Sequence, residues 1–103
     1  LKIEGNILAQ IKIDAILISI RDSVATVNRS VKRGEVLAYM NGGDLMEITA
    51  DDDIPIYHKI ALVSVPKGAP VFKYGEKIGR ATRDIPAGAH VHSHNLTDIG
   101  EER

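Results

Sequence analysis

Three of the four histidines in this chain alternate with other residues, in the run His90-Val91-His92-Ser93-His94. Side chains two apart on a β-strand lie on one face, so these three are expected to form a row of imidazoles. Such a row suits metal ligation or acid–base chemistry near neutral pH. Three same-face residues would hold their outer Cα atoms roughly 13 Å apart, too far for one ion. The best ligand pair is therefore His92 and His94, with Asn95 as a polar neighbour. The competing reading is a wet, exposed strand that merely tolerates histidine.

The fourth histidine stands in His58-Lys59, at the entry to an apolar strand over residues 60–65. A lysine beside a half-buried site can become a base or hold an acidic substrate; the alternative is an exposed strand-entry pair. In Lys73-Tyr74-Gly75-Glu76-Lys77-Ile78-Gly79 the glycines predict a hairpin or bulge with close backbone approach. The Tyr74 phenol could donate to a carboxylate, or it could cap the core with its hydroxyl in water. The segment lacks the Gly-Lys-Ser/Thr ending of a phosphate loop. No nucleophile elbow is present.

These residues must be positioned by strands. Val, Ile and Thr are frequent, and Gly or Pro punctuates the chain about every ten residues. Residues 11–20 read as a strand that is apolar on both faces, hence central or covered. Val24 to Val27 reads as a short second strand. Asn41-Gly42-Gly43-Asp44 is a strong turn between residues 35–40 and 45–50. Asp51-Asp52-Asp53 lacks the alternate ligands, central Gly and distal Glu of a calcium loop and reads as a solvated turn. A motif recurs three times: Ser30-Val31-Lys32-Arg33-Gly34, Ser64-Val65-Pro66-Lys67-Gly68 and Asp84-Ile85-Pro86-Ala87-Gly88. It predicts three equivalent strand–turn–strand corners, with Pro at turn position i+1. No amphipathic helical spacing is sustained. The expectation is a compact all-β domain of short, bent strands.

The totals narrow the function. A chain of 103 residues with 44% hydrophobic and 26% charged content fits one soluble domain. A net charge of -1 with few aromatics argues against nucleic acid. Absence of cysteine excludes thiolate catalysis and fits a cytoplasmic setting. No apolar stretch is long enough for a membrane span. Leu1 is not a normal start, so the reading is of a trimmed or partial chain. Residues 1–14 are an N-terminal extension or first strand, 15–97 the domain, and 98–103 a charged tail.

The ordered set His58-Lys59 with Ala61-Leu62, Lys73-Tyr74-Gly75, Ile78-Gly79-Arg80-Ala81, Ile85 with Gly88, and His90-Val91-His92-x-His94-Asn95 resembles the SAF-type domain of the altronate/galactarate dehydratase family. The resemblance covers residues 15–97, with Asp22-Ser23-Val24-Ala25 as a weaker match. It implies a β-clip fold that forms the N-terminal domain or small subunit of a sugar-acid dehydratase. It implies a divalent metal, iron or manganese, shared with a large catalytic subunit or C-terminal catalytic domain that the chain lacks. Carried over by position, His58 and Lys59 become catalytic candidates, Tyr74, Arg80 and Asn95 substrate-binding candidates, and His92 and His94 metal candidates. A homo-oligomer is compatible with this reading.

The galactarate branch lacks the final histidine run, so its presence points to the altronate or sulfolactate branch. One departure is Tyr57, where members usually carry Gly; a bulky residue would alter that turn and redirect Lys59. Two alternatives keep the fold. One is the small subunit of a (2R)-sulfolactate sulfo-lyase. The other is a non-catalytic carbohydrate-binding module like those of sialic-acid-synthase and antifreeze-like relatives.

Overall fold

A computed structural model describes residues 12–98. Among them there is no helix, and so none long and apolar enough to cross a membrane. The described residues form an all-β domain of eight short strands: β1 (Ala15–Ile16), β2 (Val24–Val27), β3 (Val36–Asn41), β4 (Asp44–Thr49), β5 (Lys59–Ala61), β6 (Pro70–Lys73), β7 (Glu76–Arg80) and β8 (His90–Val91). Strands β1, β2, β5 and β8 make one antiparallel sheet in that order, while β3–β4 and β6–β7 are separate hairpins.

The central strands are apolar on both faces because each face carries its own core. The register pairs Ala25 with Ile60 and Val24 with Ala61. Ala25 and Ile60 belong to a core with Val27, Val31, Leu37, Ala50 and Ile54. Val24 and Ala61 point the other way, into a core with Val65, Val71, Ala81, Ile85 and Val91. One hairpin covers each face. Of the expected strand over residues 11–20, Ile11 lies outside the described residues, and residues 12–20 do not play this covered role. Strand β1 is two residues long and sits at the sheet edge, with Ile16, Ile18 and Ile20 45%, 56% and 76% exposed. A run of alternating isoleucines resembles a buried strand, but one edge partner and an early turn at Ser19 leave it half-paired.

The two cores are related by an internal duplication. Val31, Gly34 and Leu37 match Val65, Gly68 and Val71; Ala50-x-x-Asp53-Ile54-Pro55 then matches Ala81-x-x-Asp84-Ile85-Pro86. The bonds match as well. Val31 and Ile54 exchange backbone bonds, as do Val65 and Ile85. The Gly34 N–H donates to the Ala50 carbonyl and that of Gly68 to the Ala81 carbonyl, both at 2.8 Å. The Asp53 carboxylate accepts from the Arg33 N–H at 2.9 Å, and Asp84 from the Lys67 N–H at 2.8 Å.

The recurring motif thus makes four corners among the described residues rather than three. In each, an N–H donates to the carbonyl three residues earlier: Glu35 to Lys32, His58 to Pro55, Ala69 to Pro66 and Ala89 to Pro86. Proline therefore occupies turn position i, not i+1. The third turn residue has positive φ in every copy: Gly34 at 91°, Gly68 at 87°, Gly88 at 89° and Tyr57 at 69°. Tyr57 is the missed fourth copy, hidden from the sequence by its side chain. It preserves the turn instead of altering it, so Lys59 leaves the corner in register with Thr26 and Val91.

The hairpin at Gly42-Gly43 forms as expected, and β6–β7 shows both predicted features. Its turn is Tyr74-Gly75, with φ of 56° and 74°, and a register shift falls between Val71 and Phe72. Positive φ at both central residues matches the right-handed twist of the arms. Gly79 is required because a Cβ there would strike the Thr97 carbonyl, where residues after the histidine run return alongside β7.

A buried acid clamps each hairpin. Asp14 accepts from the Ala38 N–H and the Arg29 guanidinium, both at 2.9 Å, and Arg29 reaches on to Glu35 at 2.8 Å. Burial disfavours the Asp14 charge, but the Ala38 and Arg29 donors outweigh it and hold the carboxyl below its usual range. Asp22 accepts from the N–H groups of Ser19 at 3.1 Å, Tyr74 at 3.0 Å and Gly75 at 2.7 Å.

A left-handed backbone costs a non-glycine residue about 1–2 kcal/mol, against about 0.5–1 kcal/mol of extra chain entropy for glycine. Tyr57, 73% exposed, has little packing to offset this. Tyr57→Gly is expected to raise unfolding stability by up to about 1 kcal/mol. A urea titration showing a loss of that size would mean that the ring packs against something important.

Candidate functional site

Strand β8 ends at Val91, and the alternation rule ends with it. The chain turns through residues 92–95, where the Asn95 N–H donates to the His92 carbonyl at 3.1 Å. The Asn95 amide is buried inside this turn. Its oxygen accepts from the His92 N–H at 3.0 Å and its nitrogen donates to the His90 carbonyl at 2.8 Å. Asn95 thus positions the histidines from behind. Asp52 fixes the run from the other side by accepting from the His90 N–H at 2.9 Å. One of the three adjacent aspartates therefore has a structural task at the site that the solvated-turn reading missed.

The turn gathers all four imidazoles. His58 Nδ1 and His90 Nε2 lie 2.8 Å apart, one nitrogen donating and the other accepting. The His58 ring stacks on that of His92, with centroids 4.3 Å apart. His94 lies against His90 at 5.1 Å. Ligating nitrogens of His58, His90 and His92 all fall within 4.8 Å of one another. Among the described residues this is the group that could hold a metal ion. It combines the expected His92 with His58 and His90, while His94 flanks it through the His90 ring. His58 is absent from the sequence-local pair because only the β5–β8 pairing brings it to the run.

The cluster lowers its own basicity. Burial pushes the His58 imidazole below its usual range, helped by the charges of His92 and Lys59. Burial acts first on His90 too, joined by His94, His58 and His92 and only partly opposed by Asp52. Neutral imidazoles are the form that binds metal.

Beside the cluster lies an open cleft of about 630 Å³, lined by Lys59, Lys73, Tyr74 and His92 among others. Two of the expected substrate-facing residues, Lys59 and Tyr74, meet there, together with Lys73, which the sequence reading left without a role. The Lys59 ammonium is held below its usual range by burial first and by Lys73 second. The Lys73 ammonium sits 4.6 Å from the Tyr74 ring centroid. Arg80 lies elsewhere, donating to the Gly68 carbonyl at 3.0 Å. The Asp22-Ser23 pair sets this wall of the cleft. Asp22 grips the Tyr74-Gly75 turn, Ser23 Oγ accepts from the Phe72 N–H at 3.1 Å, and the Ser23 N–H donates to the Phe72 carbonyl at 3.0 Å.

Two outcomes follow. The folded values of His58 and His90 lie below that of a free imidazole, so the folded state binds fewer protons. The stability they contribute is complete above the unfolded pKa of about 6.5 and is lost as pH falls through it towards the folded values. Metal-free protein should therefore lose stability between about pH 7 and pH 5, with a smaller loss in His90→Gln; a flat profile would contradict this. Asp22→Ala removes the acceptor of three part-buried N–H donors and should destabilise the fold by about 1–2 kcal/mol. Amide exchange should quicken at Tyr74 and Gly75, and unchanged protection there would show that the clamp is dispensable.

Comparison with known proteins agrees with this architecture. The family described as the altronate/galactarate dehydratase SAF domain matches residues 13–98. Altronate dehydratase of Escherichia coli is 38% identical over 86 residues, which is 80% of this chain and 17% of that protein. The (2R)-sulfolactate sulfo-lyase subunit alpha of Chromohalobacter salexigens is 33% identical over 87 residues, 82% of this chain and 93% of that subunit. The corresponding subunit of Paracoccus pantotrophus is 50% identical over 48 residues, 47% of this chain and 72% of that subunit. The chain thus spans a small part of the altronate dehydratase it matches and nearly all of one sulfo-lyase subunit. On these grounds the chain belongs to the altronate/galactarate dehydratase SAF domain family.

Proposed function

We propose that this chain is the N-terminal domain or small subunit of a metal-dependent sugar-acid dehydratase of the altronate dehydratase kind, inactive until a large catalytic domain or subunit completes the site. The observation that carries this reading is the His58–His90–His92 cluster opening onto the cleft of Lys59 and Tyr74. A cytoplasmic setting goes with it.

The donor set fits a divalent ion. Metal–nitrogen bonds of about 2.0–2.1 Å place neighbouring ligand nitrogens roughly 3.0–3.4 Å apart. His58 and His90 are already closer than this, and the His92 nitrogen lies within 4.8 Å of both. His92 is exposed, which leaves room for substrate and for ligands from the partner. Bound there, iron or manganese would supply Lewis-acid chemistry.

The reaction removes the C2 proton and the C3 hydroxyl of a 2,3-dihydroxy acid as water, leaving an enol that becomes the 2-keto-3-deoxy acid. The chain contributes proton handling and orientation. Lys59, half-buried and less basic than a free lysine, is suited to hold the C2 proton or the substrate carboxylate. His58 and His90 share a hydrogen only while no metal is bound; ligation would take up both nitrogens, which leaves proton handling to Lys59. Tyr74, fixed by the Asp22 clamp, presents its phenol to the same space.

A second reading has its own support: the 93% coverage of a sulfo-lyase alpha subunit favours a free-standing small subunit. The same cleft would then serve bisulfite elimination from sulfolactate.

The test is turnover with altronate and sulfolactate, by the chain alone and with its large partner. No turnover alone, activity when combined, and a loss of at least about 100-fold in His58→Ala are expected. Metal content should fall in His58→Ala plus His90→Ala. Turnover by the isolated chain, or unchanged metal content in the double variant, would overturn the reading; the latter would favour a carbohydrate-binding module.

A further inference from the structure

We propose that Lys59 and Lys73 form an anion subsite that holds the carboxylate of a small polyhydroxy acid, with Lys73 the specificity-determining residue. The identity of the acid rests on the lyase reading above; the existence of the subsite does not.

Both ammonium groups line one cleft, and neither forms an ion pair with a carboxylate among the described residues. Asp98 lines the same cleft. Two like charges kept close together and half-buried repel each other, and an anion between them relieves that repulsion. The cleft lining carries two lysines against one aspartate, and an excess of positive charge on concave walls concentrates anions.

The pair is pre-set. Lys59 is fixed by strands on both sides, paired with Thr26 and Val91. Lys73 precedes the turn that Asp22 clamps, and its ammonium rests by the Tyr74 ring. Little ordering remains to be done on binding. The hydroxyl-bearing Thr82 and Ser93 line the same cleft. Cations with hydroxyls suit a polyol acid better than a plain carboxylic acid.

The experiment is an NMR titration of the chain in EDTA, following the amides of Lys59, Lys73, Tyr74 and Ser93. Altronate, its neutral polyol altritol, and sulfolactate are the probes. Saturable shifts with altronate and none with altritol at equal concentration are expected. Lys73→Gln should weaken binding about tenfold, Lys73→Arg should restore it, and Lys67→Gln should leave it unchanged. In the lyase assembled with its large partner, Lys73→Gln should raise KM and leave kcat within about threefold. Equal binding of altritol, or undiminished binding by Lys73→Gln, would overturn the subsite. Preference for sulfolactate would keep the subsite and select the sulfo-lyase form. Anion binding intact in an assembly with no metal-dependent turnover would keep the subsite and remove the dehydratase.

Discussion

One backbone hydrogen bond, repeated at four corners, sets the architecture. An N–H reaches back to the carbonyl three residues earlier, across a residue with positive φ. Each corner ends one run of chain and starts another, so short strands build two cores without a long sheet. The buried residues just before the turns, Val31, Ile54, Val65 and Ile85, pair through their backbones, which ties corners to one another. Removing that bond would leave the turn without its closing contact and the adjoining strands unaimed.

The site is a consequence of two of these corners. The corner at Tyr57 delivers His58 and Lys59 into β5, and the corner at Gly88 delivers His90 into β8. Because β5 and β8 are neighbours, residues 32 apart in sequence come within hydrogen-bonding distance. Buried polar side chains then finish the placement, Asn95 and Asp52 behind the histidines and Asp22 under Tyr74. The polar atoms at the site are either satisfied by this framework or turned to the cleft.

Much of the fold was legible from local rules. The Gly42-Gly43 hairpin, Val24 to Val27, the bent Tyr74-Gly75 turn and three corners all follow from turn chemistry and period-two patterning. The fourth corner was not legible, because a tyrosine sits where conformation asks for glycine. Residues 12–20 misled because alternation says which residues share a face but not how many partners the strand finds. The site was partly legible. Lys59, Tyr74 and His92 do meet at one cleft. The metal-capable trio differs from the expected pair because alternation at His92 and His94 assumes a strand, and Asn95 closes a turn instead. Lys73 and Asp22 were hidden for a different reason: their roles arise from tertiary approach. An Asp-Ser pair just before a strand, facing a hairpin turn, is the signal that could have suggested Asp22.

Strand β5 is common property of the duplicated units, closing the first and opening the second. Its Ile60 packs into one core and its Ala61 into the other. Neither unit can therefore be detached with a complete set of partners, and the domain must melt as a whole. The same sharing frees the exits of the turns to diverge, since framework positions such as Ala50 and Ala81 carry the architecture in both copies. The repeated skeleton thus presents two edges side by side, Lys59 on one and His90 on the other.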